Sequence, residues 1–166
     1  MEQFKCINDL REYIKELEKE KGRVLSRACN DGTSRVFYRP CDTAPNDEIV
    51  QGIRVRDFCF SNCRHWVEPH PQMGLSFSAN WQNLKAVYKH RERLNKKMNI
   101  NTPINVFWIL EKADIPQGLE FVPDKSKPKE HYYLRVTEKM TVEKLVSKLK
   151  WVADKMSKIT DLRGIK

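Results

Sequence analysis

A chain of 166 residues is long enough to bury a hydrophobic core, and we expect one domain covering residues 1–166. Lys and Arg outnumber Asp and Glu by 31 to 22, and the resulting net charge of +9 favours an acidic or nucleic-acid partner. No apolar run reaches the length of a bilayer, and acidic residues interrupt the amphipathic amino-terminal stretch, so we expect neither a membrane segment nor a signal peptide.

The first half of the chain predicts one helix and two weak strands. Apolar residues from Phe4 to Leu17 recur at steps of three or four and Gly22 closes the segment, which predicts an amphipathic helix over about residues 3–21. Residues 35–39 have the pattern of a short strand that ends before Pro40, and residues 41–47 that of a loop. Residues 50–60 alternate loosely enough for one strand, and residues 61–73 predict an ordered loop.

The second half is more regular. Leu75–Ser78 alternates apolar and polar residues, as a half-buried strand does, and leads directly into a helix predicted over residues 80–98. The run Ile104–Leu110 is almost wholly apolar, which is typical of a strand buried on both faces. Further strands are predicted over residues 119–122 and 130–136, before a final helix over about residues 141–158. This order of helices and strands predicts the α+β class.

Two of these strands carry side chains that suit ligand binding. Tyr38-Arg39 ends its predicted strand beside a loop, where a guanidinium fork either grips phosphate or simply faces solvent. Ser76 and Ser78 share one face of the next strand, with Phe77 on the other. Hydroxyls placed in this way can orient a ribose while a ring stacks on a base. Alternatively, Ser78 or the nearby Asn80 caps the following helix.

The last predicted strand opens with Glu130-His131-Tyr132-Tyr133. Alternation places His131 and Tyr133 on one face of the strand, and Glu130 and Tyr132 on the other. An acid, an imidazole and two phenol rings in succession are candidates for catalysis, although a histidine at a strand edge is more often structural.

The predicted central helix is rich in basic residues. Lys89, Arg91 and Arg93 are candidates for contacts with an RNA or DNA strand, and a solvated helix face is the simpler alternative. The basic residues of this segment are Lys85, Lys89, His90, Arg91, Arg93, Lys96 and Lys97.

The placement of cysteine and histidine argues against a metal. Cys59, Cys63 and His65 have poor spacing for zinc, and only His70 is a candidate for a fourth ligand, so the prediction is buried thiols and no metal. The five cysteines are an odd number without a short-spaced framework, which indicates reduced thiols in a cytosolic setting.

Together these stretches resemble the NAD-binding motifs of ADP-ribosyltransferases, which comprise a strand with Tyr-Arg, a strand with Ser-x-Ser leading into a helix, and a strand opening with an acid or histidine. The chain is also similar, most specifically over residues 113–149, to small ADP-ribosyltransferase-like toxins of type VI secretion and to their toxin–antitoxin relatives. The whole resemblance covers residues 36–149. The matching features of the second half are Ile115-Pro116-x-Gly118-Leu119, Asp124, His131-Tyr132, and Met140 followed by a helix.

This resemblance implies an α+β fold whose split, mainly antiparallel sheets form an NAD cleft flanked by helices. It implies a cytosolic toxin, which a secretion system could deliver, that cleaves the nicotinamide–ribose bond of NAD and transfers ADP-ribose to a cellular target. NAD is then a substrate, and no metal is required. The implied partners are a nucleic-acid or protein acceptor and a neutralising antitoxin or immunity protein, with no membrane.

The resemblance also assigns roles to individual residues. Arg39 would hold the phosphate or ribose side of the cofactor and take part in catalysis, and Ser76 would shape the ribose pocket. Glu130 or His131 would act at the ribose hydroxyl or the incoming nucleophile. The residues implied to contact NAD are Tyr38, Arg39, Ser76, Phe77, Ser78, Tyr132 and Tyr133.

One departure from the family pattern limits the choice of acceptor. The arginine-modifying branch has Glu-x-Glu before its last motif strand, whereas this chain has Lys129-Glu130-His131 and therefore one acid. Arginine is not the expected acceptor, and a basic protein could modify a nucleic acid or a protein, or only hydrolyse NAD. Two other classes stay open: a metal-independent ribonuclease toxin that uses His131, Arg39 and a tyrosine, and a non-catalytic RNA-binding domain.

Overall fold

A computed structural model describes residues 4–20, 22–161 and 163–166, without the side chains of residues 18–20. The helices of this part of the chain are α1 (Ile7–Glu20), α2 (Trp81–Lys97) and α3 (Val142–Lys155). None of the described helices is both long enough and apolar enough to cross a membrane. The strands in chain order are β1 Val24–Asn30, β2 Ile49–Val50, β3 Ile53–Arg54, β4 Cys59–Phe60, β5 Trp66–Glu68, β6 Leu75–Ser78, β7 Ile104–Leu110, β8 Leu119–Pro123, β9 His131–Val136, β10 Met140–Thr141 and β11 Ser157–Thr160.

The main sheet contains six strands in the order β11-β7-β1-β6-β9-β8. Every neighbouring pair in it is antiparallel. The apolar run of β7 is buried except at its last residue, and it pairs with β1 along the whole of β1. A smaller sheet has the order β10-β5-β4, and β2 pairs with β3.

Apolar side chains form one core on each face of the main sheet. On one face, Ile7 and Leu10 of α1 and Leu84 of α2 pack with Trp108 of β7. On the opposite face, α3 contributes residues at helical spacing, such as Leu145, to a core shared with the small sheet and with the segment between β1 and β6. The alternation of β7 divides its side chains between the two cores.

The main sheet is split between β1 and β6. These neighbours pair only at Ser26 and Ser78, whereas all four residues of β6 pair with β9. Gly74 keeps β6 against β9, because a Cβ there would lie 2.6 Å from the carbonyl oxygen of Leu134. The two strands therefore diverge beyond the Ser26–Ser78 pair, and the carboxyl-terminal half of β1 has one open edge.

Most elements agree with the sequence-based predictions. The α+β class is confirmed, and β6, β7 and β8 occur where strands were expected. The amino-terminal helix is confirmed as α1, although residues 3 and 21 of its predicted range lie outside the described residues. α2 begins after Asn80, whose side chain accepts a hydrogen bond from the Asn83 amide as the helix N-cap.

Several predicted elements in the first half are wrong. Residues 35–39 form no strand, although Val36 is buried, and the amide of Tyr38 bonds instead to the carbonyl of Gly52 at 2.8 Å. Segment 50–60 holds β3, β4 and part of β2 instead of one strand, and the predicted loop over residues 61–73 contains β5.

The final helix is shorter than predicted. It ends at Lys155, Met156 adopts an extended backbone, and β11 follows. The Arg35 guanidinium donates to the carbonyls of Ala153 and Met156, both at 2.8 Å. These bonds satisfy carbonyls that a helix end leaves free, so the helix can stop there.

Candidate functional site

The opening between β1 and β6 forms a cleft of about 210 Å³. Its walls are β1, β6, part of segment 33–42 and one face of α2, and His131 lies where β9 begins. The cleft lies at the split because β6 no longer covers the edge of β1 there. The polar and charged residues that line it include Arg27, Asn30, Asp42, Ser76, Asn83, Arg91 and His131.

Arg27 of β1 lies at the inner end of the cleft, where its guanidinium spans the split. Its Nη1 donates to the backbone carbonyl of Ser76 on β6, its Nη2 to the Tyr38 hydroxyl at 2.8 Å, and its Nε to the Arg35 carbonyl at 3.0 Å. No carboxylate within the described residues forms an ion pair with it. The guanidinium is therefore a held cation without an ion-pair partner among the described residues, and the carboxylate whose charge acts on it is that of Asp57.

The charge of Arg27 persists despite its surroundings. Burial works against the cation, yet interactions with Tyr38 and Cys29 raise the pKa of Arg27 above its ordinary value. A desolvated cation in the wall of a cleft attracts an anionic ligand more strongly than an exposed one does, because water screens it less.

Tyr38 is fixed between two arginines. Its ring centroid lies 5.6 Å from the Arg27 guanidinium and 4.3 Å from that of Arg54. Arg54 is in turn held by two hydrogen bonds of 3.0 Å to the carboxylate of Asp57. Tyr38 is therefore held in the cleft wall by both arginines, with Phe37 beside it in the lining.

The two serines of β6 have different surroundings. Ser78 is buried, and its hydroxyl donates to Oδ1 of Asn83 at 2.6 Å, so it supports the helix start next to the N-cap. Ser76 also lines the cleft, but no partner for its hydroxyl lies within the described residues. Ser76 is thus the serine whose hydroxyl is available to a ligand.

His131 is held by its Nδ1 atom. Nδ1 lies 3.1 Å from Oδ2 of Asp124, and the His131 ring packs edge-on against Tyr133 with centroids 4.7 Å apart. Burial raises the pKa of Asp124, but hydrogen bonds from Ser126 and His131 outweigh it, and the pKa lies below its ordinary value. An ionised carboxylate only accepts hydrogen bonds, so Nδ1 carries the hydrogen of this contact, and Nε2 is the ring nitrogen left for another partner.

Arg91 adds a second cation to the cleft. It lies on α2 four and eight residues beyond Val87 and Asn83, and all three line the same wall. Arg91 forms no ion pair with any described residue. Burial raises the pKa of Cys29, and Arg27 and Arg91 both oppose that rise, so the two cations act on the same thiol.

Arg39, which the sequence suggested as the phosphate-binding arginine, lies outside the cleft lining. It is in a loop, its side chain is 55% exposed, and it holds Asp42 through contacts of 2.9–3.1 Å. Asp42 itself lines the cleft. Burial raises the pKa of Asp42, but the hydrogen bonds and charge of Arg39 outweigh it and lower the pKa below the ordinary value.

The candidate residues around β9 are divided by strand alternation. Tyr132 and Phe77 form a cross-strand pair and both belong to the core shared with α3. Tyr133 pairs with Ser76, on the same face as His131. Glu130 precedes β9 in an exposed turn, and its carbonyl accepts from the Ala79 amide at 2.8 Å. The structure brings His131 and Ser76 to the cleft, and Glu130 and Tyr132 lie outside its lining.

The three basic residues grouped for nucleic-acid binding do not share one face of α2. Lys89 and Arg93 are exposed, and Lys89 lies 3.6 Å from Glu92. Arg91 is half-buried and faces the cleft.

Sequence reasoning missed Arg27 as a site residue, the pairing of Asp124 with His131, and the direction of Arg91. One signal for Arg91 was available: Asn83, Val87 and Arg91 follow each other at steps of four, which places them on one helix face. β1, which mixes Val24, Leu25, Ala28 and Cys29 with Ser26, Arg27 and Asn30, gave no comparable pattern.

The described residues contain no group of three or more His, Cys, Asp or Glu side chains that could hold a metal ion. All five cysteines are free. Comparison of the chain with protein-family models, with curated proteins and with solved structures found no match.

Proposed function

We propose that the chain is an NAD-dependent ADP-ribosyltransferase that cleaves the nicotinamide–ribose bond and transfers ADP-ribose to a cellular target. One observation carries the proposal, which is that three functional groups line the cleft at the split between β1 and β6. They are a guanidinium without an ion-pair partner, a hydroxyl without a described hydrogen-bond partner, and an imidazole held by a carboxylate. These groups are Arg27 of β1, Ser76 of β6 and His131 of β9. The order of the strands also agrees with the motif order of the resemblance, with Arg27 in place of Arg39.

Each group has a role suited to NAD. Arg27 and Arg91 supply the positive charge that a diphosphate requires, and the rigid fork of Arg27 can also hold an amide or ribose oxygen. The Ser76 hydroxyl can bond to the ribose, and Phe37 offers a ring on which nicotinamide can stack. The cleft, at about 210 Å³, is smaller than the roughly 300–1,000 Å³ of common ligand sites, so it suits the nicotinamide–ribose end, with the remainder along its mouth.

The chemistry is a displacement at the ribose carbon that bears nicotinamide. The electron pair of the carbon–nitrogen bond leaves with nicotinamide, and the ribose carbon develops oxocarbenium character. The acceptor, or water, forms the new bond to that carbon and loses a proton. His131 Nε2, with Asp124 holding Nδ1, is the group that can accept this proton.

The toxin character, the neutralising partner and the cytosolic site of action belong to the same proposal, and they rest on the resemblance of residues 36–149. Capture of NAD by a basic enzyme of this kind would harm the producing cell. A bound inhibitor that covers the cleft would prevent that harm, and an acidic one would complement the net charge of +9.

The test is release of nicotinamide when the purified protein is incubated with NAD and cell extract. We expect release by the wild type, and transfer of adenine-labelled ADP-ribose to a macromolecular fraction. Absence of release, together with RNA cleavage that needs no NAD, would favour the ribonuclease alternative.

Two variants locate the site. Arg27→Lys keeps a cation but loses the fork, and we expect a loss of NAD affinity of about 10–100-fold, as for a charge-assisted hydrogen bond of about 1.5–3 kcal/mol. Arg39→Ala should change affinity by less than about threefold, as is common for exposed ion pairs. Arg27 also bridges the split, so its substitution disturbs a contact between β1 and β6. Ser76→Ala provides a second probe, because the Ser76 hydroxyl has no hydrogen-bond partner among the described residues. A large loss in Arg39→Ala alone would return the phosphate site to that loop.

A further inference from the structure

We infer that the basic face of α2, formed by the half-buried Lys85 and the exposed Lys89, Arg93, Lys96 and Lys97, holds the phosphate backbone of a nucleic-acid acceptor beside the cleft. For the transfer step this inference rests on the proposed function, and it goes beyond that function by naming the class of acceptor. The binding step is independent of it and is tested separately.

The basic face is an ordered row. Lys85, Lys89, Arg93 and Lys97 follow one another at steps of four, so each lies about 6 Å further along the helix, and the row extends over roughly 18 Å. Lys89, Arg93 and Lys97 are exposed. Glu92 is the one acid in the sequence of α2, and it contacts Lys89 at 3.6 Å.

Helix stability does not account for this row. Like charges four residues apart destabilise a helix by about 0.2–0.5 kcal/mol per pair, and the row contains such pairs in succession. Alternating charges would give the same solubility without that cost. A partner that supplies negative charge at regular intervals would remove the repulsion, and a phosphate backbone does so.

The basic face is continuous with its neighbours on both sides. Towards α1, Lys85 lines a shallow pocket with Arg11 and Lys15, which extends the positive surface. In the other direction around the helix lie Asn83, Val87 and Arg91, which line the cleft. A strand held along α2 therefore passes the mouth of the cleft, where its ribose or base can reach the reacting carbon.

The composition of this face favours a nucleic acid over a protein. Protein interfaces depend on a few large apolar or aromatic anchors at their centre. The large aromatic residues of α2, Trp81 and Tyr88, are both buried. The other exposed residues of α2 are Gln82, Ala86, Val87 and His90, and Val87, which is 40% exposed, lines the cleft. Repeated charge without an exposed aromatic anchor, with the exposed Met98 only at the end of the helix, is the pattern of sequence-independent phosphate contact.

The test compares two double substitutions with the same change in charge. Lys89→Gln/Arg93→Gln removes two positions of the basic face. Lys144→Gln/Lys150→Gln removes two exposed lysines of α3, which packs on the opposite face of the main sheet. Binding to a labelled 20-nucleotide single strand of DNA, and to one of RNA, is measured by fluorescence anisotropy at several salt concentrations between 50 and 200 mM.

We expect the wild type to bind one or both strands with an affinity that falls steeply as salt rises. Each phosphate contact contributes about 0.7 to the slope of log K against log salt for a single strand, so Lys89→Gln/Arg93→Gln should flatten the slope by roughly 1.4. Its affinity at 50 mM salt should fall about 10–100-fold. The α3 substitutions should leave the slope unchanged. Thermal melting confirms that both variants are folded.

Three results would overturn the inference. The first is a wild-type protein that binds neither strand at 50 mM salt, and the second is equal loss of binding in the two double variants. In the third result, nicotinamide is released, and the ADP-ribose label enters the protein fraction of an extract but does not enter the oligonucleotides. The acceptor is then a protein. If no nicotinamide is released but binding follows the expected slopes, the proposed function fails while the nucleic-acid surface stands.

Discussion

At the scale of single residues, the pairing of His131 with Asp124 links the cleft to the chemistry that we propose. Asp124 does not line the cleft, so it acts through the ring that it holds, as a positioning residue. We expect Asp124→Asn to reduce the rate of nicotinamide release by roughly 100-fold, the lower end of what general acid–base groups contribute. KM for NAD should change little, because the ground-state contacts remain.

A double-mutant cycle separates this role from simple support of the fold. If Asp124 acts through His131, then Asp124→Asn combined with His131→Ala should be no slower than His131→Ala alone. The rates of nicotinamide release of the three variants give the result. Additive losses would show that Asp124 has an independent role, for example through Tyr133, whose hydroxyl lies 3.4 Å from the same carboxylate oxygen.

At the scale of elements, Gly74 controls how β6 leaves β1. A Cβ at this position would lie 2.6 Å from the Leu134 carbonyl oxygen and 2.9 Å from the Tyr133 Cβ, and neither atom belongs to a flexible side-chain end. We expect Gly74→Ala to destabilise the protein by about 1–3 kcal/mol, as overpacking commonly does. For a chain of this size, the melting temperature should fall by roughly 2–12 °C.

Gly22→Ala is the matched control for this substitution, because nothing lies within 4 Å of a Cβ built there. It should change the melting temperature by less than about 2 °C. Gly74→Ala should also weaken NAD binding, since β6 carries Ser76 into the cleft. A normal melting temperature for Gly74→Ala would mean that β6 and β9 separate at little cost, and that their contact does not set the split.

The elements that could be predicted from the sequence differ from those that could not in the surroundings of their side chains. β7 was predictable because both of its faces are buried, so its apolar run is continuous. β1 was concealed because Ser26 and Arg27 occupy strand positions where a core would require apolar residues. Those polar residues face the split, so the strand that carries the site has the weakest strand pattern. Residues 35–39 show the reverse case, a loop whose sequence has the pattern of a strand. The pattern arises because Val36 is buried and packs on the core from that loop.

At the scale of the whole molecule, no local pattern could have located the site. The cleft depends on β1 and β6 being neighbours although about 45 residues separate them, and on their pairing at one position alone. Sequence reasoning placed Ser76 and His131 on suitable strands because each has a local pattern. It assigned phosphate binding to Arg39, 12 residues beyond the Arg27 that lines the cleft, because residues 35–39 resemble a strand and the register of the sheet was not accessible.

The two ends of the described chain are joined by one buried carboxylate, and this contact makes stability depend on pH. Oδ2 of Asp161 accepts from the Ile7 amide at 3.1 Å, at the first residue of α1, and Oδ1 lies 3.1 Å from the exposed Arg163. Burial raises the pKa of Asp161, but hydrogen bonds from Arg163 and Ile7 outweigh it and lower the pKa below its ordinary value. The carboxylate therefore stabilises the folded state most at pH values above the ordinary carboxyl pKa, and that stabilisation is lost as the pH falls through the lower folded-state pKa.

We expect Asp161→Asn to lower the free energy of unfolding at pH 7 by about 1–2 kcal/mol, since a hydrogen bond to a charged group at a helix start is replaced by a neutral one. Urea unfolding of both proteins at several pH values gives the comparison. The difference should be constant from pH 7 to about 5 and should shrink below about pH 4, where the carboxyl group of the unfolded wild type begins to bind a proton before that of the folded protein. Asp154→Asn, at an exposed acid of α3, should show no difference at any of these pH values. A gap between wild type and Asp161→Asn that stays the same down to pH 2 would mean that shape and hydrogen bonding, and not charge, hold the two ends together.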